Sequence, residues 1–198
     1  GDPWHEAVGS VRLETRPRGV EPPAMFVPPP EFVVWETPHW LVNQRCNAAL
    51  PGYLMVGAKD PAAADLADLC PAALAELGMV LQRTQQAIRD VLRPLHLYTC
   101  RFGHEAGHTI HFHIIPVCEW VAEAYGRDAR YRQLQQFYAH PLDGASVGAT
   151  DFDGADMTLF ICREFAESKT PPPVVGPSVA QVIQCLRDQL ADAPPAQP

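Results

Sequence analysis

The sequence lacks the features of a membrane protein or an exported protein. No uninterrupted apolar run approaches the ~18–20 residues that a membrane span requires. The first residues also lack the basic segment followed by an apolar segment that marks a secretory signal. We therefore expect a cytoplasmic protein with no membrane partner.

Positive charge is scarce as well. The chain carries 15 lysines and arginines against 23 acidic residues, which gives a formal net charge of −8. A general nucleic-acid-binding protein needs a dense basic face that displaces counterions from phosphates, and this composition excludes one. A small anionic ligand remains compatible with it, because a few local donors can hold a single phosphate.

The six cysteines include no CxxC pair that could complete a zinc site. They are scattered along the chain, at positions 46, 70, 100, 118, 162 and 185. This pattern favours reduced thiols that pack as small hydrophobic side chains.

At 198 residues, 47% of them hydrophobic, the chain can bury one sizeable core. Residues 1–30 are rich in proline and predict an extended arm. Residues 31–120 predict the core, and residues 121–198 a helix-strand-helix extension packed on it. Strands are predicted at 32–36, 39–43, 53–57, 95–102, 109–117 and 157–165, and helices at 71–93, 122–138 and 178–190. The long helix shows an apolar stripe of Leu74, Leu77, Leu81, Ile88 and Leu92.

The most informative segment is TIHFHIIP at residues 109–116. Side chains alternate along a strand, so Thr109, His111 and His113 share one face, while the apolar residues between them face the long helix. The two imidazoles then lie about 7 Å apart at positions i and i+2. A neutral imidazole is a competent nucleophile near neutral pH once its other nitrogen donates to an acceptor.

Two other interpretations of the histidine pair remain open. The pair is equally compatible with an exposed polar strand face. Histidines at this spacing also serve as ligands in zinc and iron sites.

This segment resembles the signature of the histidine-triad family, in which histidines alternate with apolar residues on a strand that is often followed by proline. Two upstream segments, HWLVN at 39–43 and PGYLMV at 51–56, also resemble that family, and most closely its fragile-histidine-triad branch. The resemblance covers residues 32–117 and includes the order of strands and helix between the motifs.

The resemblance implies a role for individual residues. His111 matches the nucleophile that attacks the α-phosphate of a nucleotide, and His113 matches the histidine that contacts the phosphate. Asn43 matches an asparagine near the nucleotide sugar, and Gly107 lies in the loop that borders the substrate.

The sequence departs from the family pattern at three places. Thr109 replaces the first histidine of the triad, and Tyr53 replaces the histidine after Pro-Gly. The loop before the triad is shorter, so His108 either takes the position of the family's glutamine or turns inward to replace the missing ring. Arg163, in the extension, could reach a phosphate or form a surface ion pair.

We therefore expect an α+β fold, with an antiparallel sheet of about five strands and a long helix on one face. The resemblance implies a homodimer that acts on a small-molecule nucleotide conjugate through a phosphohistidine intermediate. No cofactor is required, although a divalent cation can accompany a polyphosphate substrate. The alternatives are a non-catalytic nucleotide-binding or sensing protein and a metal-dependent enzyme that uses His108, His111 and His113.

Overall fold

The computed structural model describes residues 24–103, 106–131 and 152–191. Their strands form a single five-stranded sheet in the order β1-β2-β3-β5-β4, in which every neighbouring pair is antiparallel. The strands are β1 (Val33–Glu36), β2 (Trp40–Gln44), β3 (Leu54–Ala58), β4 (His96–Cys100) and β5 (His111–Val117). The predicted α+β class and strand number are confirmed.

Helix α1 (Pro71–Leu92) covers one face of the sheet. It begins at Pro71, whose missing N–H costs nothing in the first turn, and ends where Arg93 adopts φ 48° ahead of Pro94. Its buried residues are Ala73, Val80, Thr84, Ala87 and Ile88. The predicted leucine stripe is therefore only partly correct. Leu74 is exposed, because the buried face of the helix is built mainly from smaller side chains that allow a close approach to the sheet.

A second hydrophobic cluster lies on the opposite face of the sheet. Helices α2 (Glu119–Arg127) and α3 (Gly154–Ile161) pack there against Ile115 and Val117 of β5. The same face of β5 carries His111 and His113 nearer the start of the strand. This face of β5 therefore packs in the apolar core at the end of the strand and carries the two histidines at its start. The extension, including these helices, covers the apolar end.

The strand predicted at 157–165 is wrong. Residues 154–161 form helix α3, which continues as a π-helical stretch, Cys162–Glu167. Asp153 caps the helix, since its carboxylate accepts from the backbone N–H groups of Ala155 and Asp156. The buried Met157, Phe160 and Ile161 follow helical spacing, which a short apolar run does not reveal by itself. Among its described residues the extension therefore forms helices and no strand.

Helix α4 (Val179–Ala191) packs against α1 and β1. The Ser178 hydroxyl accepts from the backbone N–H of Gln181 and so caps the N-terminus of this helix. Arg187 donates to the carbonyl of Val33 on the outer strand β1. The sequence predicts a helix at 122–138. Helix α2 spans Glu119–Arg127 instead, and residues 132–138 lie outside the described residues. No helix among the described residues is long and apolar enough to cross a membrane.

Candidate active site

The candidate site lies at the start of β5. It is on the same face of the sheet as helices α2 and α3, at the end of the strand that their hydrophobic cluster does not cover. Cross-strand neighbours define its floor: Gly57 of β3 stands opposite His111, and Met55 opposite His113. Asn43 of β2 extends the row of His113 by one more strand. Both histidines are buried, at 8% and 4% exposure, and their ring centroids are 5.1 Å apart.

His111 is oriented by the main chain. Its Nδ1 lies 2.8 Å from the carbonyl oxygen of Thr109. A carbonyl oxygen can only accept, so Nδ1 carries the proton and Nε2 carries the lone pair. The ring therefore has the tautomer that a nucleophilic imidazole needs.

Thr109 itself precedes the strand, which begins at His111. Its hydroxyl donates to the carbonyl of Ala58 at 2.7 Å and ties the entry of β5 to the end of β3. Any residue at position 109 would supply the carbonyl that orients His111. A threonine in place of the first histidine of the motif thus leaves this orienting bond intact.

His113 is held by side chains instead. The Tyr53 hydroxyl lies 3.0 Å from His113 Nδ1 and 3.5 Å from Cys162 Sγ. Arg45 donates through Nη1 to the same hydroxyl at 2.7 Å, and its guanidinium stands 5.1 Å from the centre of the Tyr53 ring. The Tyr53 hydroxyl therefore links this imidazole to Arg45 and to Cys162 of the extension.

Burial sets the protonation states of the pair. Desolvation, followed by the charges of His111, Arg45 and His108, lowers the pKa of His113 to about 3. Burial also raises the pKa of Tyr53 far above its usual value, so its hydroxyl keeps its proton. Because Arg45 can only donate to that hydroxyl, the tyrosine proton points to His113 Nδ1 or to Cys162, and imidazole nitrogen is the better acceptor. His113 is then neutral, with its proton on Nε2.

His108 lies beside His111, with 5.5 Å between the ring centroids. Its other neighbour is Phe26, whose ring stacks on it at 4.8 Å and an interplanar angle of 23°. The backbone N–H of Phe26 donates to the carbonyl of Gly107, which has φ 83°, a conformation that favours glycine. Residues from the predicted arm thus contact the loop before the histidine strand.

Two cavities adjoin the histidines. The first, which we call the near cavity, measures about 250 Å³ and includes Asn43, Gly57, His108, Thr109 and His111 in its walls. The side-chain amide of Asn43 donates to the carbonyl of Gln44 at 2.8 Å, which fixes its orientation. The near cavity also contacts residues 25–28 of the arm. It therefore brings together the predicted substrate-binding Asn43 and three predicted catalytic residues, His108, Thr109 and His111.

The second cavity, which we call the far cavity, measures about 620 Å³. His111 and His113 form one wall, and residues of β4 and α3 form the others. Arg163 lies at this cavity and is ion-paired with Glu167, one helical turn away. Of the two interpretations of Arg163, the structure shows the ion pair.

All six predicted site residues, His108, Thr109, His111, His113, Asn43 and Gly107, lie around the start of β5. Over the ranges 24–103, 106–131 and 152–191, no group of three or more His, Cys, Asp or Glu side chains is arranged to hold a metal ion. The same ranges contain all six cysteines, and each is a free thiol.

Comparisons with known proteins find a likeness only among solved structures. No protein-family model matches the chain, and no curated protein matches it. The solved structures that are similar to this chain include histidine-triad proteins. This is the family that the motif around His111 resembles, while the fragile-histidine-triad branch stays a prediction.

Three of these structures illustrate the likeness. The NitFhit protein of C. elegans is 24% identical over 49% of this chain, with a TM-score of 0.42, and the match spans only 24% of NitFhit. A zinc-bound histidine triad family protein from Mycobacterium smegmatis is 17% identical over 82% of this chain and 86% of its own, with a TM-score of 0.46. A hypothetical histidine triad nucleotide-binding protein from Sulfolobus tokodaii is 17% identical over 81% and 84%, with a TM-score of 0.43.

Sequence reasoning missed three residues of the site. Arg45 follows Asn43 by two positions, so strand alternation could have placed it on the same face. Phe102, whose ring lies 4.8 Å from that of His113, ends the segment predicted as a strand before the triad loop. Cys162 gave no signal, because the segment that carries it was predicted as a strand.

Proposed function

We propose that this chain is a nucleotidyl hydrolase or transferase that acts at the α-phosphate of a nucleotide conjugate through a covalent intermediate on His111. The bond from His111 Nδ1 to the Thr109 carbonyl carries this proposal. It presents a neutral imidazole with its lone pair on Nε2, on a wall shared by two cavities.

In the first step, Nε2 of His111 forms a bond to phosphorus while the bond from phosphorus to the leaving group breaks. In the second step, a water oxygen attacks the phosphorus and the bond to His111 breaks. The water oxygen stays on phosphorus as a hydroxyl group, and the other proton of the water goes to the departed leaving group. An alcohol or phosphate in place of water gives transfer instead of hydrolysis.

His113 contributes a hydrogen-bond donor in this proposal. With Nδ1 accepting from Tyr53, its Nε2–H can donate to a non-bridging oxygen as negative charge develops there. Because the ring is neutral and held in place before the reaction, it need not reorganise during the step. His108, beside His111, would serve the same oxygens from the other side.

The near cavity is our candidate for the nucleoside. Asn43 lies on its wall in a fixed orientation, and the arm residues supply apolar contacts. The Gly107 carbonyl binds the arm, so this glycine acts by shaping the cavity. The mechanism requires no metal for the attack, although a divalent cation can accompany a polyphosphate substrate.

We also propose a homodimer in the cytoplasm. Strand β4 stands at the end of the sheet order, and an edge strand of this kind can pair with a second copy. The six free thiols fit a reducing compartment.

The test is turnover of a fluorogenic nucleoside phosphoramidate, together with mass spectrometry of acid-sensitive nucleotidyl adducts trapped by rapid mixing. We expect the adduct on His111, and we expect His111→Ala to lower kcat/KM by roughly 1,000-fold or more without changing the unfolding midpoint. His39→Ala, a histidine outside both cavities, is the control.

Each alternative gives a different result. Tight nucleotide binding without turnover indicates a sensing protein. Activity that is lost with EDTA and restored by zinc indicates a metal-dependent enzyme that uses His108, His111 and His113.

A further inference from the structure

The far cavity lies next to the two histidines but does not contain Asn43 or the arm. It is more than twice as large as the near cavity, at about 620 Å³ against about 250 Å³. Its size falls within the ~300–1,000 Å³ range of small-molecule sites. Part of its wall comes from α3, in the extension that the motif resemblance does not cover.

We propose that the far cavity binds the leaving group of the substrate, and that this group is largely apolar and carries an aliphatic chain or an aromatic ring. The inference rests on the proposed function, because it places the reacting phosphorus above His111. It assigns to helix α3 a role in substrate selection.

The position of the cavity supports this assignment. His111 borders both cavities, whereas His113 borders only the far one. The nucleoside and the leaving group are separate substituents of the phosphorus, so each needs its own space beside His111. A nucleoside held beside Asn43 leaves the space past His113 for the departing group.

The residues that line the far cavity support the chemical class. Aromatic side chains stand at the entrance, where Phe102 is 52% exposed, and along β4, where Tyr98 contacts Gly154 of α3. Leu159 of α3, 41% exposed, adds an aliphatic surface. Exposed aromatic and aliphatic groups that border a cavity gain free energy when an apolar ligand covers them.

Both arginines that line this cavity already have partners for their N–H groups. Arg163 pairs with Glu167, and Arg45 donates to the Tyr53 hydroxyl and to the Asn47 side chain. A polyphosphate chain carries several negative charges and needs several uncompensated donors. The lining therefore matches an apolar amine or alcohol better than a second nucleotide joined through polyphosphate.

The test uses two nucleoside phosphoramidates with the same nucleotide, one made from methylamine and one from 2-phenylethylamine. Both are primary alkylamines, and the second adds one methylene group and the ring, so a difference in rate that depends on Leu159 reports the added apolar group. We expect the phenylethylamine conjugate to have the higher kcat/KM by about tenfold, the equivalent of about 1.4 kcal/mol. Leu159→Trp, which fills the cavity, should reduce this ratio to about one. Leu74→Trp, the same change at an exposed position of α1, should preserve it.

A second measurement does not depend on turnover. Naphthyl phosphate is titrated into the ¹⁵N-labelled chain, and we expect shifts of the Gly154 and Leu159 amide signals that Leu159→Trp abolishes. Absence of turnover with both conjugates, together with these shifts, refutes the proposed function but supports an apolar-ligand site. Turnover without a preference for the ring, or a preference that survives in Leu159→Trp, overturns the present inference and leaves the proposed function standing.

Discussion

The two histidines of the candidate site are held in opposite ways. His111 is oriented by the carbonyl of Thr109, two residues away on the same chain. His113 is oriented by Tyr53, which in turn contacts Arg45 and Cys162 from distant parts of the sequence. The first arrangement depends on the backbone alone, and the second depends on the identity of three side chains.

This difference predicts how each position responds to substitution. Replacing Thr109 removes a side chain but no bond to the imidazole of His111. Replacing Tyr53 removes the partner of a buried nitrogen, and an unpartnered buried polar group is costly. The site should therefore be insensitive to changes at 109 and sensitive to changes at 53.

Apart from His111 itself, the largest effect on activity is expected from removing His108, whose ring lies 5.5 Å from the ring of His111. His108→Ala should lower kcat/KM by about 10- to 100-fold, the loss of one charge-stabilising hydrogen bond. His108→Phe separates this from the stacking on Phe26, because it keeps the ring but not the nitrogens, and it should be equally slow. Thr109→His should not restore the rate in either background. A fully active His108→Phe would show that the nitrogens take no part.

The protonation of His113 gives the next effect, on stability. Its pKa is about 3 in the folded chain and 6.5 in the unfolded chain, so between pH 6.5 and pH 3 the unfolded state binds this proton and the folded state does not. The unfolding free energy should therefore fall as the pH decreases from 6.5 to 3, and the loss should reach roughly 2 kcal/mol at pH 5. Urea unfolding across this range should show a shallower pH dependence for His113→Gln. Superimposable curves for the two proteins would contradict the low pKa.

Removing the Tyr53 hydroxyl tests the side-chain network directly. Tyr53→Phe should lower kcat about tenfold, since a buried imidazole nitrogen loses its donor. ¹⁵N signals of the His113 ring should also report a change of tautomer, which a merely structural role would not produce. Tyr131→Phe, which removes a hydroxyl bonded to Glu164, is the matched control and should leave the ring signals in place. An unchanged tautomer in Tyr53→Phe would refute the network.

The smallest effect on activity is expected at position 109. Thr109→Val keeps the shape and the main-chain carbonyl but removes the hydroxyl that donates to Ala58. It should cost about 1 kcal/mol of unfolding free energy. The kcat/KM of this variant should lie within about threefold of the wild-type value, because the carbonyl that orients His111 is kept. A threefold change corresponds to about 0.7 kcal/mol in the activation barrier. A drop similar to that of His108→Ala would mean that the hydroxyl contacts the reacting group.

The core of the fold could be predicted from the sequence, because its signals are local. Alternation around His111 placed the two histidines on one face, and Pro71 and Pro94 bounded the long helix. These features depend on steric rules that act within a few residues. The register that sets Gly57 opposite His111 agrees with them but required the structure.

The contribution of the extension could not be predicted, for a physical reason. Residues 157–165 are apolar enough for a strand or a buried helix, and the Asp153 cap that decides for a helix lies just outside that run. Once the segment is helical, Cys162 and Leu159 reach the histidine face. The contacts of Tyr53 likewise depend on which segments meet in space.

The contact between Phe26 and the Gly107 carbonyl has a consequence for access to the site. It joins two segments that are far apart in sequence, so closing it carries the entropy cost of a long loop. Residues 25–28 form part of the wall of the near cavity, and they belong to neither hydrophobic cluster. Undocking these residues should therefore open the near cavity and leave the core of the fold intact.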